Sequence, residues 1–161
     1  MRPMGWISGW HGCVVGVAMM LLPAAARAQL ATPLQGLSFG TLMAGVPDQV
    51  TLQDAARRAE VNLDPAGAFN AVVGVRFILP AAMIQSSTGR QLPLTFGTAD
   101  AGIYDPKTGR LQPFDPAVGT SYRLKKSPVM IYLAGTAVPG AAQRAGPYSA
   151  SVTLLITNPA Q

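Results

Sequence analysis

"AGPYSASVTLLITN", residues 145–158, is the stretch from which the rest of the chain is best read. From Tyr148 onward Tyr148, Ala150, Val152, Leu154 and Ile156 fall on one side. Ser149, Ser151, Thr153 and Thr157 fall on the other, and only Leu155 breaks that polar row. A period of two marks a strand that buries one face. Neither a charge nor a proline interrupts Tyr148–Thr157. At the border of a sheet such a strand would offer other chains a regular row of backbone groups. The outward residues Ser149, Ser151, Thr153, Leu155 and Thr157 are therefore the candidate interaction residues.

The same period recurs through the chain. "LSFGTLMA" (37–44) puts Leu37, Phe39, Thr41 and Met43 on one face, and "RAEVNL" (58–63) sets Ala59, Val61 and Leu63 against Glu60 and Asn62. "VVGVRFIL" (72–79) places Val73, Val75, Phe77 and Leu79 opposite Gly74, Arg76 and Ile78. In "LPLTFG" (92–97), Pro93 suggests an edge or a strand start. "SYRLKK" (121–126) alternates, and "VMIYLAGTAV" (129–138) is apolar on both sides, as a central strand would be. "DPAG", "SSTGR", "DPKTGR" and "VPGAAQRAGP" separate these runs as turns or loops. Only Gln53–Arg57 suggests a turn of helix. Short strands with frequent turn signals predict an all-β sandwich in one domain.

Residues 1–28 read differently. Arg2 lies near the start, an apolar run extends from Cys13 to Leu22, and Ala26-Arg27-Ala28 closes the segment. That is the layout of a signal peptide cut after Ala28, and its apolar run is short for a bilayer span. Cutting there would leave 133 of the 161 residues, in a soluble exported protein with no membrane span. Arg2 and Arg27 would leave with the leader, so the formal charge of +5 would fall to +3. The expected organisation is a signal peptide (1–28), a short N-terminal extension (29–36) and a sandwich domain (37–158). The extension, "QLATPLQG", contains Pro33, which has no N–H for a ladder, so Leu30, Thr32 and Leu34 offer at most the stub of a strand.

The order of two terminal patterns suggests a family. Leu37, Phe39-Gly40, Leu42 and Gly45 form an early "L-x-FG" motif; Ala145-Gly146, Tyr148, Val152, Leu154 and Ile156 form a closing one. Together they resemble the secreted bacterial domains grouped with spore coat protein U and fimbrial subunits, including relatives of unknown function. The likeness runs over about residues 36–158, with the middle matched only in rhythm. It implies an immunoglobulin-like, pilin-like sandwich in the periplasm, on the outer cell surface or outside the cell. Some relatives polymerise by donor-strand exchange, in which a subunit lacking its last strand borrows one from a neighbour. The terminal strand would then be the penultimate strand of an immunoglobulin-type sheet. The resemblance also gives Phe39, Gly40, Gly146 and Tyr148 structural roles, with Tyr148 expected to hydrogen-bond back across the corner before its strand.

Composition narrows the chemistry. His11, Cys13, Trp6 and Trp10 all lie in the leader, so the remainder has neither imidazole nor thiol, the commonest general base and a strong nucleophile. Glu60 is the only glutamate, and no S-x-x-K pattern occurs. No catalytic site and no cofactor is expected. Asp100, Asp105 and Asp115 offer hard oxygen ligands for calcium but match no calcium-loop spacing, and turn caps are the alternative. The basic pairs Arg57-Arg58 and Lys125-Lys126 are too scattered for nucleic acid. Two functions remain open. One is a fimbria-like or coat-like assembly subunit that meets a protein partner, or itself, through a sheet edge. The other is a monomeric module whose loops bind a glycan or protein.

Overall fold

The computed structural model describes residues 13–14, 16–18, 30–66 and 68–157; most of residues 1–28, read above as a leader, lie outside them. The strands, in chain order, begin with β1 (Cys13–Val14), β2 (Gly16–Ala18), β3 (Leu30–Gln35), β4 (Ser38–Gly40) and β5 (Asp48–Val50). Then come β6 (Ala59–Asp64), β7 (Val72–Ile78), β8 (Ala82–Ile84), β9 (Gln91–Thr95) and β10 (Ala101–Asp105). The last five are β11 (Arg110–Phe114), β12 (Thr120–Arg123), β13 (Val129–Leu133), β14 (Gly135–Ala137) and β15 (Ser151–Thr157). There is no helix among the described residues. The stretch 53–57 forms turns instead, closed by Arg57 and Arg58 N–H donating to the Asp54 carbonyl at 3.2 and 2.9 Å.

The sheets are ordered β11-β10-β13-β6-β3, β12-β7-β15-β2 and β5-β14-β9-β8, with β1 and β4 as a separate pair. Every pairing is antiparallel except β15 with β2. The sheets pack as a β-sandwich around one core. Ala59, Val61 and Leu63 of β6 and Val129, Ile131 and Leu133 of β13 meet Val73, Val75 and Phe77 of β7 and Val152 and Leu154 of β15. Alternation selects these residues because successive side chains in a strand point to opposite faces. Outside the five-stranded sheet a smaller cluster holds Leu52, Tyr132 and Ala134. The Arg58 guanidinium lies 3.7 Å over the Tyr132 ring and pairs with Glu60 at 2.7 Å.

Four further sequence expectations need correction. Leu30–Gln35 is no stub: it pairs with β6 along its length, from Leu30↔Asp64 to Gln35↔Glu60. Pro33 is tolerated because β3 is a border strand, and the register shifts between Pro33 and Gln35. The sheet therefore starts before residue 37. "LSFGTLMA" gives only a three-residue strand, because Gly40 turns to φ +62° and the following Met43 is 72% exposed. "VMIYLAGTAV" is two strands. After Ala134 the chain passes from one sheet to another, and Gly135 is needed there because a Cβ would stand 2.8 Å from the Phe96 ring. Finally, Pro93 lies in an interior strand. The β9–β14 ladder ends at Leu94↔Ala137, one residue short of Pro93, so its missing N–H breaks no strand pair there.

Candidate functional site

The last strand has two hydrogen-bonding sides, and they are occupied very differently. On one, β7 pairs from Thr153↔Ile78 to Thr157↔Gly74. That side continues toward the start of the strand through a bridge in which Ile84 and Ser149 exchange N–H···O bonds of 2.8 and 3.1 Å. On the other, the partner is β2, in parallel, with Ser151↔Gly16, Val152↔Val17 and Thr153↔Ala18. Among the described residues no other strand lies there. β4, drawn from "LSFGTLMA", does not supply a partner; it pairs with β1 instead, Cys13↔Gly40 and Val14↔Ser38.

The side chains of β15 follow the alternation. Tyr148, Val152 and Leu154 are buried, and Ala150 and Ile156 pack partly against the core. Ser149, Ser151 and Thr157 are exposed, while Thr153 and Leu155 are half-buried. These five candidates share one outer face but not one environment. The backbone of Ser149 is taken by Ile84, and Ser151 and Thr153 adjoin β2. Leu155 and Thr157 instead line a shallow cavity of about 500 Å³ with Gly74, Arg76, Val118 and Ser121.

That groove was not anticipated. Its floor depends on Gly74, where a Cβ would come within 2.6 Å of Thr157 Oγ1, and one wall depends on Gly119 at φ +87°. A glycine within a strand pattern marks such a close approach, which is the signal available in "VVGVRFIL". Arg76 stands on the groove with no ion-pair partner among the described residues.

The other candidates have structural tasks. Tyr148 Oη donates to the Arg144 carbonyl at 2.9 Å, fastening the corner before β15. Gly146 takes φ +144°, and a Cβ there would collide with Gln85 Nε2, which itself donates to the Ala145 carbonyl. Phe39 is in the core and Gly40 makes the turn after β4. Asp100 accepts from Gly97 N at 2.6 Å, Asp105 from Lys107 N at 3.0 Å, and Asp115 from Ala117 N at 2.9 Å. Each caps its own turn. Among the described residues no three acidic, His or Cys side chains gather as a metal site. Of the basic pairs, Arg57 binds Asp48 and Asp54, Arg58 binds Glu60, and Lys125 binds Asp105. No family model matches this chain, and no curated protein matches it.

Proposed function

We propose that this chain is an exported, non-catalytic assembly subunit, fimbria-like or coat-like, that docks a partner protein's strand along the free side of β15. One observation carries the reading: beyond β7, the pairing of β15 among the described residues comes from residues 16–18, within the segment expected to be cut off. Removing residues 1–28 takes that pairing away and leaves backbone donors and acceptors in need of partners. A second strand satisfies them, which is how exposed sheet edges recruit other chains. The resemblance to spore coat U and fimbrial subunits supports the same reading and would make the sandwich immunoglobulin-like. It would put the protein in the periplasm, on the outer surface or outside the cell. Partners are proteins, a second copy included, rather than nucleic acid.

The groove lined by Arg76, Ser121, Leu155 and Thr157 favours the second reading, a monomeric module that binds a glycan or protein. Sedimentation of the chain cut after Ala28 separates the two. The subunit self-associates or requires a strand-donating partner, and Thr153→Lys with Leu155→Lys abolishes association while circular dichroism stays unchanged. A cut chain that remains monomeric at high concentration, with no added protein, leaves the binding module.

A further inference from the structure

The slot beside β15 is not empty while the leader is attached. Cys13–Val14 pairs with Ser38–Gly40, and Gly16–Ala18 pairs with Ser151–Thr153. One short stretch thus bridges β4 and β15, which share no ladder of their own. We propose that residues 13–14 and 16–18 are an intramolecular placeholder, closing the β15 edge in the uncut chain and opening it when the chain is cut after Ala28. This rests on the export and strand-docking reading above.

Tethering gives the placeholder its advantage. Residues 19–29 join β2 to β3, and such a linker reaches at most roughly 36–40 Å, enough to cross a domain of this size. A segment held this way acts at an effective concentration on the order of millimolar. A strand from a second copy at micromolar concentration starts about a thousandfold behind. Cutting the tether removes that lead. The placeholder is also short. It pairs with three residues of the seven-residue β15, and on that side Leu154–Thr157 have no strand partner among the described residues. Parallel pairing is slightly weaker per residue as well. A strand running the length of β15 therefore forms more ladder bonds and prevails once the leader leaves. Assembly would wait for maturation.

The test starts from the folded full chain, carrying a protease site between Ala28 and Gln29. Amide exchange at residues 151–153 is read by NMR before cutting, and after cutting and removal of the peptide, at dilution. Cutting is expected to speed exchange there by about tenfold or more, as local protection is lost. Gly16→Pro with Ala18→Pro in the uncut chain should reproduce that rate, with unchanged exchange in β6 and β13 reporting an intact fold. Equal exchange in the uncut, cut and proline-bearing chains overturns the placeholder, even if the cut chain self-associates. Faster exchange in a cut chain that stays monomeric and takes up no strand supports the placeholder and removes the docking reading instead.

Discussion

Leu30–Gln35 and Ser151–Thr157 each lie at a sheet border once residues 1–28 are set aside, yet they are finished in different ways. β3 carries Pro33 and a register shift, which spoil its outer row of backbone groups. The other borders are blunted too: β11 has Arg110 and Pro113, β12 is four residues long and ends in Arg123, and β5 and β8 have three residues each. β15 has seven residues, no charge and no proline. When the borders of the other sheets, and β12 in its own, are short, kinked or charged, one long smooth border concentrates strand pairing at a single place. The contrast supports an interaction edge at β15 in preference to β3.

Several substitutions would break or sharpen that contrast. Leu154 is 3% exposed in β15, whereas Leu34 in β3 is 58% exposed. Leu154→Ala should cost about 2–5 kcal/mol in urea unfolding, from lost burial and the cavity left behind. Leu34→Ala should stay within about 0.5 kcal/mol, and equal losses would erase the distinction between the two strands. Gly74→Val tests the paired side of β15. Its Cβ would press on Thr157 Oγ1, so overpacking should cost about 1–3 kcal/mol and raise amide exchange at residues 155–157.

The entry to β15 is held more lightly. Tyr148→Phe removes the hydrogen bond to the Arg144 carbonyl and should lower stability by about 1 kcal/mol, with the fold kept. An unchanged urea midpoint would leave Tyr148 a packing role only.

The smallest effect concerns the opposite border of the same sheet. Lys125, just beyond β12, binds Asp105 at the end of β10 with a 2.6 Å contact. The bound ammonium holds the Asp105 carboxyl below its usual range, and the carboxylate holds Lys125 above its own. A depressed carboxyl stabilises the fold above its unfolded value of about 3.9 and loses that contribution as pH falls through the folded value. The raised ammonium contributes below about 10.4 and loses its share as pH rises through the folded value. Lys125 is 56% exposed, so water and salt weaken the pair. Asp105→Asn should flatten the acid limb of stability against pH, measured as the urea midpoint from pH 2 to 6. An unchanged limb would show that the pair does not fasten this border.

Much of the architecture was legible because burial leaves a trace in residue type. The alternation in 148–157, 72–79 and 58–63 named the core faces of β15, β7 and β6. Asp100, Asp105 and Asp115 could be read as turn caps from their short side chains and neighbouring turn residues. Where the chain bends was harder. Gly40 and Gly135 end or redirect strands that apolar pattern alone would continue, and the reasons are a positive φ at one and the Phe96 ring at the other.

What the sequence by itself determined is the all-β class, the inward faces of β6, β7 and β15, and the absence of imidazole and thiol beyond residue 28. Only the tertiary structure decided which strand lies beside which: β3 on β6, β9 inside its sheet, and residues 16–18 against β15. The physical reason lies in direction. Burial acts perpendicular to the sheet, through side chains that differ from residue to residue. Pairing acts within the sheet through N–H and C=O groups that are nearly the same in every residue, with proline as the exception. The groove at Gly74 follows the same rule, because its walls come from strands far apart in sequence and join only when those backbones pair.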